Sequence, residues 1–328
     1  MEYKYLGRTG IKVSRVGMGS MKIGSIISEK DSFRLLDTAI DLGVNLLDTA
    51  NCYGTPVHNP SMGYRGLTEV VIGKWFAQGG GRREKILIST KIFNEMADPL
   101  EGPNDYTGLS ASRIRKHIDD CLRRLQTDHI ELMHMHNYPG HTANPWDEIL
   151  EAFEIARYQG KIDYVSSSNF TTYQICEAQF TAKHRGMFGL ANEQHHYNLF
   201  NRTPELELFP AVTKLGLGVL TWCPMEDGLL TEVGDDLLPK MPFHPMKRMP
   251  QIKAFKALCN EMGEKPSDVG VAWIISNPTV SAPLLGPETP EMLKSSMRAL
   301  EIKLEPEILK RLDEIFPPLD GKANGLPF

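Results

Sequence analysis

The sequence predicts an α/β protein of the (β/α)8 TIM-barrel class, and three observations carry that reading. Eight short apolar runs rich in Val, Ile and Leu recur along the 328 residues. Longer segments of helical period separate them, so β is followed by α throughout. There is no break in composition and no Pro/Ser-rich linker, which places residues 1–328 in a single barrel domain, close to the roughly 250-residue typical size plus insertions. A doubly wound open sheet is the alternative, but no GxGxxG follows the first strand.

An N-terminal hairpin, "YKYLGRTGIKV", precedes the first barrel strand, "SRVGMGS". Then comes "SEKDSFRLLDTAIDLG", a helix with Ser28 as N-cap, and the second strand, "VNLLDTA". An insertion at 54–66 follows, and the glycines Gly79, Gly80 and Gly81 stop the next helix. The third strand is "KILISTK"; a long loop at 94–109 leads to the helix "SASRIRKHIDDCLRRLQ". The fourth is "IELMHMH", followed by a loop at 136–145 and the helix "NPWDEILEAFEIARYQG", closed by Gly160. Strands "DYVSSSN", "LANEQHH", "GVLTWCP" and "VSAPLLG" complete the set, with a loop at 231–250 after the seventh and a terminal helix and tail from Pro306 onward.

Charge and cysteine usage exclude several classes. Lys and Arg number 36 against 41 Asp and Glu, a formal charge of -5, so no basic surplus draws the chain to nucleic acid or anionic lipid. The N-terminal stretch lacks the pattern of a signal peptide and no segment is long and apolar enough to span a bilayer, which predicts a cytoplasmic location. Five cysteines, Cys52, Cys121, Cys176, Cys223 and Cys259, are an odd number without a CxxC, against both a disulfide framework and a structural zinc.

In a barrel of this kind, chemistry sits where strands end and βα loops begin. Asp48 ends the second strand and Tyr53 follows in its loop; Lys91 ends the third and His136 the fourth. A phenol with a reference pKa near ~10 donates a proton poorly at neutral pH, and a lysine within ~4 to 6 Å would lower that value. Asp48 would hold the lysine charged and pointed, and His136 would hydrogen-bond a substrate carbonyl. Such a device protonates an oxygen while a second reagent attacks the carbon. His134 lies on the same strand face as His136 and reads as a barrel-interior polar contact. His195 and His196 face opposite ways, so at most one reaches the site, and Cys52 reads as a small loop filler.

Those four residues match the Asp, Tyr, Lys, His tetrad of the aldo-keto reductase superfamily, which nearly the whole chain resembles. "GKIDYVSSSNF" is similar to the family's fifth-strand signature, so the resemblance implies that Ser168, Asn169 and, in "NEQHHYN", Gln194 hold a nicotinamide carboxamide. "TWCPMEDGLLT" resembles the aromatic-Ser-Pro-Leu run, which implies Trp222 stacked on the nicotinamide and Cys223, Pro224, Met225, Gly228 and Leu230 along the cofactor, with Cys223 and Met225 as departures. Gly19, Ser20, Met21 and Asp48 complete that side by the same resemblance. "LLGPETPEMLKSSMRAL" occupies the place where the family binds the adenosine phosphate, which brings in Gly286, Glu288, Met292 and Ser296. Relatives carry arginine, glutamine and asparagine where Glu288, Met292 and Ser296 stand, so the basic clamp is absent here.

The resemblance implies an enzyme that reduces an aldehyde or ketone, including a sugar or secondary-metabolite carbonyl, with NADP(H). The carboxylate of Glu288 opens use of NAD(H), and Lys247 with Arg248 could instead swing over the phosphate. "WFAQGGGRREK", "LRRLQTDHIEL" and "RLDEIFP" are similar to the branch that reduces nucleotide-linked deoxysugars. Phe93, Tyr106, Tyr138, Trp146 and Phe328 are expected to line an apolar or sugar-like pocket, and Arg65 to offset the acids Glu95, Asp98, Glu101 and Asp105. Two rival functions stand beside this: a non-catalytic nucleotide-sensing subunit, which resemblance to potassium-channel accessory subunits allows, and a zinc hydrolase using His134 and His136. Oligomeric state is not legible.

Overall fold

The computed structural model describes residues 1–55, 64–96, 107–138, 144–241 and 244–319. Ten strands lie among them: β1 (Tyr3–Tyr5), β2 (Lys12–Ser14), β3 (Gly17–Gly19), β4 (Leu46–Asp48), β5 (Leu87–Ile92), β6 (Ile130–Met135), β7 (Ile162–Ser168), β8 (Leu190–His196), β9 (Gly218–Trp222) and β10 (Ala282–Leu285). Strands β3 to β10 are all parallel and close on one another, β10 pairing with both β9 and β3, while β1 and β2 form the separate antiparallel hairpin. The eight barrel strands coincide with the eight apolar runs of the sequence.

Around them run α1 (Glu29–Asp41), α2 (Leu67–Ala77), α3 (Ala111–Leu125), α4 (Trp146–Tyr158), α5 (Thr172–His184), α6 (Leu208–Leu215), α7 (Gly234–Leu237), α8 (Met249–Met262), α9 (Pro266–Ser276), α10 (Pro290–Ser296) and α11 (Pro306–Ile315). Local chemistry sets their ends. The Ser28 hydroxyl accepts from the Asp31 amide at the start of α1, and Thr171 with Gln174 forms a reciprocal capping box on α5. Gly79, Gly80 and Gly81 all take positive φ just past α2, so they end the helix rather than cradle an anion. The stretch at 231–250, read as loop, carries α7 and the start of α8, because Leu229, Leu238 and Ile252 bury one another in a small apolar cluster.

Period-two alternation sorts the barrel interior into layers. At the N-terminal end Leu46, Leu132, Leu220, Ala282 and Leu284 pack with Leu6 and Val13 of the hairpin, which plugs the barrel there. Further toward the C-terminal ends of β4 to β8 the interior turns polar, with Asp48, Ser89, His134, Ser166, Asn192 and Gln194 all buried. The barrel thus has a dry floor and a hydrogen-bonded upper half.

Outside it, α2 and α3 meet around Gly73, where an added Cβ would stand 2.1 Å from the Arg124 carbonyl oxygen. Arg124 in turn donates to the buried Glu69 carboxylate at 2.7 Å, and Glu69 accepts from the Thr90 hydroxyl at 2.6 Å, locking both helices to β5. In an exposed helix, Gly to Ala gains about 1 kcal/mol. Here overpacking reverses the sign: Gly73→Ala is expected to lower stability by about 1 to 3 kcal/mol in urea titration. An unchanged or raised midpoint would show that α2 and α3 part without cost.

Candidate active site

The rim at the C-terminal ends of the strands brings together the four ionisable side chains. Asp48 ends β4, and the turn at 51–54 carries Tyr53 back over the barrel mouth, with the Asn51 amide donating to the Lys91 carbonyl at 2.9 Å. The Lys91 Nζ donates to Asp48 Oδ2 at 2.6 Å and to the Thr49 carbonyl at 2.8 Å, and it lies 3.4 Å from Tyr53 Oη. Asp48 Oδ1 accepts from Ser89 Oγ at 2.7 Å and from Gln194 Nε2 at 2.8 Å. The His136 ring stands edge-on to the Tyr53 ring at 5.9 Å between centroids. Asn94 Nδ2 is 3.4 Å from His136 Nδ1 and Cys52 Sγ is 3.8 Å away, so an amide donor faces Nδ1 and Nε2 is the nitrogen that carries hydrogen in the neutral ring.

Electrostatics correct one expectation. Burial raises the Tyr53 pKa and Asp48 and Cys52 add to the rise, so the downward pull of Lys91 does not win. Burial alone would lower Lys91, but Asp48 and Tyr53 overcome it and its pKa lies above the ordinary lysine value. His136 falls from 6.5 to about 3, through burial first and then the Lys91 charge, so the ring is neutral at physiological pH. The tyrosine is therefore a proton-bearing phenol beside a held cation, ready to donate but not already ionised.

At the ends of β7, β8 and β9 lie the residues expected at a nicotinamide ring. Asn169 takes φ +62 and its amide donates to the His136 carbonyl and to Ser168 Oγ, each at 3.1 Å, while its Oδ1 accepts from Trp222 Nε1 at 3.0 Å. The turn is pinned from below by Glu193, a buried carboxylate absent from the sequence reading, which accepts from Ser167 Oγ, the Phe170 amide and His195 Nδ1 at 2.5, 3.0 and 2.9 Å. Of the adjacent histidines it is His196 that reaches the rim, stacked on Trp222 at 4.4 Å and 16°. Among the described residues no hydrogen bond takes up the Ser168 hydroxyl proton or Gln194 Oε1, which gives one donor and one acceptor at the strand ends near the second face of the Trp222 indole. Such a set fits a nicotinamide ring and its carboxamide.

Beyond Trp222 the chain makes a strained turn in which Cys223, Glu226 and Asp227 all have positive φ, with Pro224, Met225, Gly228 and Leu230 between and after them. Glu226, not singled out within the quoted run "TWCPMEDGLLT", anchors it: its buried carboxylate accepts from Arg248 at 2.6 Å, His196 at 2.8 Å and Asn198 at 2.7 Å, which holds its pKa down at about 2 against burial. Arg248 also lies over the Phe200 ring at 4.5 Å. Arg248, which could swing over a cofactor phosphate, is tied here to Glu226, and Lys247 is exposed. On the far side Ser20 is held by the Asp48 carbonyl, next to Gly19 and the exposed Met21. Glu288, just past Gly286, pairs with Lys22 at 2.6 Å, while Met292 is exposed and Ser296 Oγ donates to the Met292 carbonyl. Lys22 escaped the sequence reading because its partner is 266 residues away.

Other expected pocket residues lie elsewhere. Phe93 and Trp146 belong to the buried core, and Trp146 packs with Tyr138 and Phe170 while donating to Glu177 at 2.9 Å. Arg65 pairs with Glu95 at 3.2 Å, in keeping with the expectation that it offsets that acid. Tyr106, Phe328, Asp98, Glu101 and Asp105 lie outside the described residues. His134 has Ser89 at 3.3 Å on Nδ1 and Asn192 at 3.0 Å on Nε2, which leaves it no nitrogen for zinc. Among the described residues, His196, Cys223 and Glu226 bring ligand atoms within 4.8 Å of one another, but Glu226 already has three donors.

The profile of the Aldo/keto reductase family matches residues 15–316. The chain is 46% identical over 98% of its length, and 98% of the other's, to an uncharacterized oxidoreductase, YrpG, of Bacillus subtilis. It is 28% identical, over 96% of both chains, to a probable voltage-gated potassium channel subunit beta of Oryza sativa, and 27% identical, over 96% of this chain and 97% of the other, to the protein tas of Escherichia coli. The chain belongs to the Aldo/keto reductase family. It is an NAD(P)H-dependent oxidoreductase. Among the described residues no helix is long and apolar enough to cross a membrane.

The buried neutral His136 makes stability depend on pH in a definite direction. Its folded pKa of about 3 lies below the ordinary 6.5, so between those values the unfolded chain binds a proton that the folded one refuses, and stability falls as pH falls through that window. One such group contributes a slope of up to about 1.4 kcal/mol per pH unit. Urea unfolding from pH 7 toward acid should therefore show a shallower loss for His136→Asn than for the wild type. Parallel curves would mean that His136 is solvated in the folded protein.

Proposed function

We propose that this oxidoreductase reduces an aldehyde or ketone to an alcohol, with Tyr53 as the general acid. The observation that carries the reading is the buried row Asp48, Lys91, Tyr53, with contacts of 2.6 and 3.4 Å. Ser168, Asn169, Gln194 and Trp222 would hold the nicotinamide end of the cofactor. When bound in reduced form, that cofactor supplies a hydride to the carbonyl carbon. Neutral His136 donates from Nε2 to the carbonyl oxygen and sets its angle. Tyr53 gives its proton to the same oxygen as negative charge develops there, and the Lys91 ammonium stabilises the phenolate left behind. Asp48 keeps Lys91 charged and aimed. Fixing carbonyl and acid in one geometry can remove on the order of 7 to 11 kcal/mol from a bimolecular barrier.

The substrate class extends to apolar or sugar-like carbonyl compounds, on the ground of the aromatic residues that the loops at the rim carry; the segments similar to the deoxysugar-reducing branch bear on ancestry rather than substrate. The sensing role suggested by the channel-subunit relatives is separated from catalysis by turnover of a model aldehyde. Tyr53→Phe is expected to lower kcat by several orders of magnitude with cofactor affinity nearly unchanged. A variant retaining more than about a tenth of the wild-type rate, under ~1.4 kcal/mol of barrier, would remove Tyr53 from the role of acid.

For the cofactor we propose weak or reversed preference for NADPH over NADH. At an effective dielectric near 20, a carboxylate ~4 Å from a 2'-phosphate costs about 4 kcal/mol before screening, whereas it can accept hydrogen bonds from free ribose hydroxyls. Lys22 at 2.6 Å from Glu288 tempers that repulsion, and both side chains are partly exposed, so the net discrimination is small. Steady-state kcat/KM with both cofactors should show Glu288→Arg shifted toward NADPH. A wild-type preference for NADPH of a hundredfold or more, about 2.7 kcal/mol, would mean that Lys22 or Lys247 binds the phosphate while Glu288 turns away.

A further inference from the structure

We infer that His134 is a positioning residue for the Asp48–Lys91–Tyr53 device, the middle of a one-way hydrogen-bond chain from Ser166 through Asn192, His134 and Ser89 to Asp48. It rests on the reading of Tyr53 as the acid. The chain crosses the barrel interior from β7 to β8, to β6, to β5 and to β4, and Ser166, Asn192, His134 and Ser89 are all fully buried.

Its direction follows from the carboxylate end. Asp48 is bound to the Lys91 ammonium and can only accept. Ser89 has one proton and lies 2.7 Å from Asp48 Oδ1, so it donates there and can only accept from His134 Nδ1 at 3.3 Å. Nδ1 therefore carries the hydrogen. Burial and the Lys91 charge hold His134 well below the usual histidine range, so the ring is neutral and Nε2 is bare. Asn192 Nδ2, 3.0 Å from Nε2, donates to it, which turns Asn192 Oδ1 toward the Ser166 hydroxyl at 2.6 Å. Moving the imidazole proton to Nε2 or flipping Asn192 would set donor against donor or acceptor against acceptor in a site closed to water.

The consequence falls on Asp48. Held on its lone pair by His134, Ser89 joins Gln194 on Oδ1, which fixes the carboxylate's rotation and leaves Oδ2 for Lys91 at 2.6 Å. Without the His134 donor Ser89 keeps its bond to Asp48 but loses the partner on its own lone pair, so the carboxylate is held less firmly against the lysine that faces Tyr53. The other titratable groups at this point are Lys91 on β5, Tyr53 and Cys52 in the turn after β4, and His136 past β6, whose pKa His134 helps to lower, so the pH profile is read together with the tautomer.

Imidazole 15N NMR on the cofactor-free protein reads the tautomer directly, with the His134→Asn variant assigning the signal. The expected result is an Nδ1–H, Nε2-bare ring that does not titrate between about pH 5 and 9. His134→Leu should lower kcat about tenfold or more and move the pH dependence of kcat, with cofactor Kd within about twofold of wild type. His134→Asn, whose Nδ2–H stands where Nδ1–H stood, should recover most of that loss. An Nε2–H tautomer overturns the inference, as does a His134→Leu enzyme with unchanged kcat and pH profile, or an Asn variant that folds but is as impaired as the Leu one. If the Leu variant does not fold, the tautomer and the Asn variant still decide. An active Tyr53→Phe would sink the acid assignment and leave the tautomer standing; an inactive Tyr53→Phe beside an unaffected His134→Leu would sink this inference alone.

Discussion

The buried ion pair between Lys91 and Asp48 is the constraint on which the upper half of the barrel depends. Removing two charges from water costs several kcal/mol per ion, and mutual attraction repays that only where the remaining lone pairs and protons are satisfied. Here they are. Lys91 has Asp48 Oδ2 and the Thr49 carbonyl, and Asp48 Oδ1 has Ser89 and Gln194. Each partner needs partners of its own, so a polar layer extends across strands β4 to β8, where a barrel built for stability alone would be filled with Val, Ile and Leu.

That polar layer in turn requires a dry floor. Leu6 and Val13 of the hairpin meet Leu46, Leu132, Leu220 and Leu284 beneath it, sealing the end of the barrel away from the loops. Water entering from below would compete for Ser89, His134 and Asn192, and the low local dielectric that strengthens their hydrogen bonds would be lost. Hairpin and site are thus one design: the plug supplies the environment in which the ion pair has a single arrangement.

A second buried acid organises the other side of the rim. The turn after β9 holds three non-glycine residues, Cys223, Glu226 and Asp227, in left-handed conformations that cost of order 1 to 3 kcal/mol each. Glu226 compensates, tying that turn to His196 at the end of β8, to Asn198 just past it and to Arg248 before α8. The same histidine stacks on Trp222, so the indole is set by a carboxylate that never touches it.

The sequence alone determined the eight strands, the caps at Ser28 and Gly79 to Gly81, and the four rim residues Asp48, Tyr53, Lys91 and His136. These are written in local code: period-two apolar runs, cap residues, and ionisable groups at the ends of strands. What it could not state is anything set by partners distant in the chain. Ser89 and Asn192 read as ordinary strand residues until the barrel faced them to His134; Lys22 and Glu288 meet only because β3 and β10 are neighbours. Phe93 and Trp146 looked like pocket aromatics from their loops, yet packing drew them into the core, where their large apolar surfaces leave water. The direction of the Tyr53 pKa likewise needed the folded chain, since Lys91 pulls one way and burial the other, and only the closed barrel determines how much water each group loses.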